Sequence, residues 1–191
     1  MSKISSTFFK ELTTETWHDF EKFFGEKGAC GGCWCMAWRS LKYDFDKLKG
    51  AGNKKAMKDF VKKGKTIGII AYQDSDPIGW CSVAPREDFI RLEKSRVLKP
   101  VDDKPVWSVS CLFIAKAHRK MEVSTELLEA ALKFAKKKGA KIVEGYPMYP
   151  YSDNIPAAFA WTGIPSSFEK AGFQETARRS KTRPIMRYYL K

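Results

Sequence analysis

Between Val106 and Ala140 the chain reads VWSVSCLFIAKAHRKMEVSTELLEAALKFAKKKGA, and this stretch leaves little freedom about architecture. Trp107 to Ile114 is rich in aromatic and branched residues, as a buried strand is. From Val123 the apolar positions change period: Val123, Leu127, Leu128, Ala131, Leu132, Phe134 and Ala135 recur at helical spacing. Glu126, Glu129, Lys133, Lys136 and Lys137 fill the opposite face, and Gly139 suits a left-handed residue after the last turn. A core strand that runs through a short loop into an amphipathic helix predicts a helix laid on a sheet.

The loop between them, Ala117 to Ser124, brings a helix N-terminus beside His118, Arg119 and Lys120. The first amides of a helix have no partner within it, and the macrodipole adds partial positive charge, so phosphate oxygens are natural ligands there. The same basic residues can also simply coat a surface turn. Their place between a core strand and a core helix favours the anion site.

At these residues the chain resembles the GNAT superfamily of N-acetyltransferases, whose acyl-CoA loop follows the pattern Gln or Arg, two residues, Gly, one residue, Gly or Ala. Here the pattern reads Arg119, then Glu122 in place of the Gly, then Ser124. The resemblance implies that the backbone of Leu112, Phe113 and Ile114 pairs with the pantetheine arm. It also implies that Arg119, Lys120, Met121, Glu122, Val123, Ser124 and Thr125 form the pyrophosphate loop. Glu122 departs from the pattern, because a carboxylate facing the phosphates would oppose them more strongly than one helix end attracts them. The carboxylate must therefore point away, as a first-turn acid. The resemblance resumes at KIVEGYP (Lys141–Pro147) and IPSSFEKAGF (Ile164–Phe173), where the family places its fifth strand and the helix beside the pantetheine, with Phe168 on that helix.

At 191 residues the chain is read as one domain over residues 1–191, long enough for a full two-layer core. The opening MSKISSTFF has no basic region leading into a long apolar run, and no uncharged stretch is long enough to span a membrane. Five cysteines, three of them crowded together, do not read as a secreted disulfide framework, so the expected compartment is the cytoplasm. Lysine and arginine outnumber acids 35 to 22, a formal charge of +13 that would attract nucleic acid, anionic lipid or a phosphorylated cofactor. Much of the excess sits on helix faces such as Lys54, Lys55, Lys58, Lys62 and Lys63, and no nucleic-acid motif accompanies it, which argues against a nucleic-acid partner.

Residues 4–12 are expected to form a first strand, and Thr13 or Thr14 to cap a helix carrying Trp17, Phe20, Phe23 and Phe24. The segment GACGGCWCMAWR (Gly28–Arg39) then holds three thiols within six residues. A CxxC pair can ligate zinc or cycle as a dithiol, but no second CxxC or nearby His completes a zinc site, so no metal is expected. By the resemblance, this segment lines the acceptor side of the cleft, with Trp34, Cys35 and Trp38 as acceptor-pocket residues. Lys54–Lys63 reads as a second helix, Thr66–Tyr72 and Pro77–Val83 as a hairpin, and the long link Pro85–Pro105 as a functional flap or an added helical turn. Arg86, Arg91, Lys94 and Arg96 in that link can meet the cofactor, meet an anionic acceptor, or sit exposed. Phe173–Arg178 and Pro184–Leu190 read as a final hairpin.

Amide formation needs a neutral amine, donors for a developing oxyanion and a proton for the leaving thiolate. Glu144, a carboxylate inside an apolar strand, is the expected base, since such a group is costly unless it lines a cavity or makes structural hydrogen bonds. The family often carries a thiolate-protonating Tyr where this chain has Phe168. Tyr146, Tyr149 and Tyr151 are the nearest substitutes, Tyr149 as the acid and Tyr146 in the acceptor pocket. Cys111 lies in the strand without a neighbouring His, and direct transfer is the family habit.

The expected fold is α/β (α+β), a GNAT-like mixed sheet of about seven strands with helices on both faces. The expected activity is acetyl transfer from acetyl-CoA to a small-molecule or peptide amine, by a monomer or homodimer. A non-catalytic GNAT-like binder, a nucleic-acid binder and a thiol or metal protein are the alternatives.

Overall fold

A computed structural model describes residues 7–150 and 160–191. In chain order its elements are β1 (Thr7–Glu11), α1 (Trp17–Phe24), α2 (Lys42–Lys47), α3 (Ala51–Lys62), β2 (Gly68–Gln73) and β3 (Asp76–Pro85). There follow α4 (Ile90–Glu93), β4 (Trp107–Ile114), α5 (Val123–Lys137), β5 (Ile142–Gly145), α6 (Pro165–Lys170), β6 (Gln174–Arg178) and β7 (Pro184–Tyr189). The strands form one mixed sheet in the order β1-β2-β3-β4-β5-β7-β6, antiparallel except for the β4–β5 pair. The amino end of the first expected strand and Tyr151 fall outside the described residues.

Period-two alternation sorts the strands onto two faces. On β2, Ile69 and Ala71 join the core under α5, where Leu127, Leu128 and Ala131 are completely covered. Ile70 and Tyr72 point the other way, toward Trp17, Phe20 and Phe24 of α1. Helices therefore cover both faces, as the change of apolar period at Val123 requires. The link expected as a flap or helical turn is a 3-10 turn, Arg86–Asp88, followed by α4. The α2 helix has no buried residue, which explains why no apolar stripe announced it, and α3 starts earlier than expected, at Ala51.

The feature that makes a site is a defect at the middle of β4. Its register with β3 runs Cys111 to Ser82 and then Val109 to Val83, leaving Ser110 as the extra residue of a bulge. Pairing with β5 ends at the same level, at Val109 with Gly145. Beyond it β4 continues to Ile114 with no strand on that side among the described residues. Phe168 fills the opening wedge: a Cβ on Gly145 or on Gly163 would overlap its ring. The two strands are thus held apart by one aromatic side chain packed on two glycines.

Candidate active site

The open edge of β4, the start of α5 and the segment from Ala160 to Ile164 enclose a groove of about 630 Å³. Leu112, Phe113 and Ile114 form one wall, and Arg119, Lys120 and Ser124 line the end nearest α5. The amides of Val123 and Ser124 precede the first helical hydrogen bonds, which run from Thr125 and Glu126 N–H to the Glu122 carbonyl at 2.8 and 3.1 Å. A 15-residue helix therefore presents its positive end, with two cations, to one end of the groove.

Glu122 caps that helix with left-handed backbone, φ 62° and ψ 0°, the conformation for which a Gly would be favoured. Its carboxylate turns to Lys170 of α6 at 2.7 Å and accepts a bond from the Thr125 hydroxyl at 3.3 Å, and the Lys170 bond holds its pKa below the usual carboxylate value. It does not line the groove. Lys120 is left-handed as well, with φ 63°. The loop thus keeps a glycine-like path without the glycine.

Two chain groups already occupy the β4 edge. The Trp161 carbonyl accepts the Leu112 N–H at 2.7 Å, and Arg119 Nε donates to the Ile114 carbonyl at 3.1 Å. An extended amide ligand on this edge would exchange with Trp161.

A second, smaller cavity of about 190 Å³ opens beside the groove. The two share Ala29, Cys30, Phe113 and Trp161 as a common wall. Its lining includes Cys33, Cys35, Cys111 and Arg91, and among the described residues contains no carboxylate and no histidine. The glycine-rich loop is built to bring these thiols there. Gly28, at φ 62°, lies so close to Trp34 that a Cβ would overlap the indole, and Gly32 packs on Gly50, whose N–H bonds the Gly32 carbonyl at 3.0 Å. Trp34 and Cys35 follow with positive φ, 36° and 52°, a strained pair that swings Cys35 inward. Cys35 Sγ then accepts the Trp80 indole N–H at 2.7 Å and sits 3.2 Å from Cys111 Sγ. Burial pushes the Cys35 thiol well above its ordinary pKa. All five cysteines are free thiols. Among the described residues, no group of three or more His, Cys, Asp or Glu side chains is arranged to hold a metal ion.

Several expected site residues lie elsewhere. Glu144 is completely buried, not poised as a base: its carboxylate accepts Arg187 Nε at 2.7 Å, Arg86 Nη1 at 3.3 Å and the Tyr146 hydroxyl at 2.8 Å. A buried carboxylate needs such partners, and these occupy both of its oxygens. Tyr146 is buried in the same network, bonded also by Arg86 at 2.7 Å, so it is no acceptor-pocket residue; burial and Glu144 push its pKa up. Arg86 is likewise buried there and does not line this groove; with Glu144 and Arg187 it borders a separate cavity of about 290 Å³. Tyr149 lies at the β6 edge, where its hydroxyl bonds Arg178 at 3.0 Å and its ring lies under the same guanidinium. Phe168 and Val123 are core residues, Met121 is exposed, Thr125 faces Glu122, and none of the four lines the groove. Trp34 belongs to the aromatic core with Phe20 and Phe24. Trp38 stands behind the cavity, its ring 5.9 Å from that of Trp161. Of the acceptor residues, Cys35 does line the small cavity. Arg91, left between cofactor, acceptor and surface, lines the small cavity; Ala29 and Cys30 belong to the segment expected on the acceptor side without being singled out, and Cys111, Gly163 and Ser167 are lining residues that the sequence reading did not place there. For Cys111 and Phe113 the strand alternation was the available signal.

A mixed sheet split at a parallel pair, with a helix start and cations facing the split, offers donors for an anionic group at one end and a strand edge for an extended amide along its side. The Acetyltransferase (GNAT) family matches residues 9–157, and the chain belongs to that family. Comparison with curated protein sequences gives no match. Among solved structures, a GNAT acetyltransferase from Listeria monocytogenes 4b F2365 is similar at a TM-score of 0.59 and 7% identity, covering 100% of this chain and 98% of that one. The PaiA N-acetyltransferase from Thermoplasma acidophilum, solved with coenzyme A, is similar at 0.52 and 16% identity, covering 97% and 99%. YncA from Salmonella typhimurium, solved with acetyl-CoA, is similar at 0.53 and 12% identity, covering 97% and 94%.

Proposed function

We propose that this family member transfers the acetyl group of acetyl-CoA to a primary amine by direct attack. The observation that carries the reading is the groove itself: a strand edge that no described strand pairs, a helix start and Arg119 with Lys120 on one continuous surface. The donor set suits the cosubstrate, since cations and free helix amides match phosphates, and the strand edge, once the Trp161 carbonyl gives way, matches the amides of a pantetheine arm. Bound there, acetyl-CoA supplies the activated acyl group.

The chain's own residues would act as follows. Arg119, Lys120 and the first amides of α5 hold the anionic end. The Leu112 N–H, released by Trp161, becomes a fixed donor at the point where the strands part, and a fixed donor is worth more than water to a developing negative charge. Trp161 and Phe113 keep water from the junction of the two cavities. No carboxylate or histidine lines either cavity among the described residues. The amine is therefore kept neutral by its surroundings: an apolar lining and the nearby cations both disfavour an ammonium. Phe168 offers no proton to a leaving thiolate, and thiolates leave unaided more readily than alkoxides; as the C–N bond forms and the C–S bond breaks, the proton the nitrogen gives up goes to the departing thiolate or to solvent. With five free thiols and no helix among the described residues long and apolar enough to cross a membrane, a reducing cytoplasmic setting fits the reading.

Calorimetric titration with acetyl-CoA tests this. Micromolar affinity, falling with salt and falling at least tenfold in Arg119→Ala/Lys120→Ala, is expected. A folded protein without affinity for acetyl-CoA would overturn it in favour of a non-catalytic member of the family.

A further inference from the structure

The acyl-transfer reading leaves the acceptor open, and the small thiol-lined cavity narrows it. We propose that this cavity is the acceptor subsite and takes a ring-sized apolar group carried by a primary amine, excluding polycationic acceptors. The inference rests on the acyl-transfer reading for the fate of the amine, but not for the binding of the apolar group.

Size is the first argument. A cavity of about 150 Å³ lined by aliphatic and aromatic residues holds one benzene ring. The cavity here, at about 190 Å³, has room for a ring and a short linker. Chemistry is the second. Phe24, Phe45, Phe113 and Trp161 supply flat apolar walls, and Cys30, Cys33, Cys35 and Cys111 supply sulfur. A protonated thiol behaves as a small polarizable hydrophobe, and sulfur packs well at the edge of a ring. Two of them stay protonated in place: burial holds the Cys35 thiol far above its ordinary value, and its bond to Cys35 together with burial does the same for Cys33.

Charge is the third argument, and it decides between acceptor classes. A polyamine or an aminoglycoside needs carboxylates for the ammonium groups that do not react, and among the described residues the cavity lining has none. The charged side chain among those residues is Arg91, fixed by donating to the Ala37 carbonyl at 2.9 Å. That guanidinium repels a second cation. An amine with a single nitrogen and an apolar body meets no such obstacle.

Position is the fourth. The wall shared with the groove, Ala29, Cys30, Phe113 and Trp161, is where the cavity meets the β4 edge. A group seated in the cavity with a two-carbon arm would place its nitrogen at that junction, beside the Leu112 N–H. The rigidity of the thiol wall, pinned by Trp80 on Cys35, makes the cavity a preformed pocket rather than one that opens on demand.

The test uses the full-length protein and 2-phenylethylamine, with ethylamine, spermidine and a lysine-containing peptide as comparators. At saturating acetyl-CoA, kcat/KM for 2-phenylethylamine should exceed that of each comparator at least about tenfold. The variant Ala37→Phe, which fills the cavity but not the groove, should remove that preference while leaving acetyl-CoA affinity unchanged. A readout independent of turnover is alkylation of the exposed Cys30, which lines the junction of the two cavities, by N-ethylmaleimide, followed by mass spectrometry. 2-Phenylethylamine should protect that thiol without acetyl-CoA present, and spermidine should not. If acetyl-CoA does not bind, the acyl-transfer reading fails, yet protection would still support an arylalkylamine site. If acetyl-CoA binds and spermidine or the peptide is acetylated as well as 2-phenylethylamine, the acceptor inference is overturned. Absence of protection overturns it in either case.

Discussion

Glu144→Gln separates a structural carboxylate from a catalytic one. Glu144 lies between Arg187 at 2.7 Å and Arg86 at 3.3 Å, all three side chains being buried. Removing its charge while keeping its size leaves two guanidinium groups short of a counter-ion. Arg187 retains Asp102 at 2.7 Å and Arg86 retains Glu93 at 2.8 Å, but both of those carboxylates are partly exposed and more strongly screened. Breaking a buried ion pair from one side costs about 3 to 5 kcal/mol. For a chain of this length that is a fall in Tm of roughly 6 to 20 °C, against a total stability of about 5 to 15 kcal/mol. The assay is urea unfolding followed by circular dichroism, with acetyl transfer measured on the folded protein at low temperature. The stability loss should appear with an unchanged m value, and kcat should stay within about threefold of the parent, since general-base removal would cost about a hundredfold or more. A variant as stable as the parent whose kcat has collapsed would refute the reasoning, and would restore Glu144 as the base.

Glu122→Gly should leave stability little changed, because the left-handed backbone suits glycine and the Lys170 pair lies at the surface, and should tighten acetyl-CoA binding by less than about tenfold, read by calorimetry at low salt. Gly28→Ala should destabilise by about 2 kcal/mol or more, while Gly31→Ala, with similar φ and open space around it, should lose only about 1; equal losses in urea unfolding would mean that Trp34 does not press on Gly28. Asp102, bonded by Arg187, has its pKa lowered to about 2, so its pairing contributes above the ordinary carboxylate range and is lost as pH falls from about 4 toward 2. Asp102→Asn should therefore flatten that part of the stability-versus-pH curve and leave the neutral-to-alkaline part parallel to the parent's.

The layer architecture was legible because two periods meet in one stretch. Trp107–Ile114 and Val123–Ala135 could only be a strand and a helix sharing a core, and the hairpins at Asp74–Ser75 and 179–183 followed from polar turns between alternating strands. The loop cations Arg119 and Lys120 were legible for the same reason, since a helix start has a fixed direction. The acid–base residues were not. An acidic residue inside an apolar strand marks a cavity and a buried ion pair equally well, and only the placement of Arg86 and Arg187, distant in sequence, decides which. The wall of the small cavity was half legible. The CxxC spacing drew attention to the thiols, but their common cavity depends on the left-handed turn at Trp34 and Cys35 and on Cys111 arriving from β4.

The departures from the family pattern are also physically connected. Phe168 stands where a proton donor is common, and it is the side chain that props β4 from β5 against Gly145 and Gly163. A hydroxyl added to that ring would be buried in the wedge, where it would need a partner. The same helix supplies Lys170, which draws Glu122 off the groove, and Ser167, whose hydroxyl meets that of Ser124 at 3.0 Å. One short helix thus opens the strand edge, removes a misplaced charge and braces the start of α5. Among the described residues no carboxylate or histidine lines either cavity, and on the proposed function the site would work through placement: a held-open strand edge, a positive helix start and an apolar cavity that disfavours an ammonium.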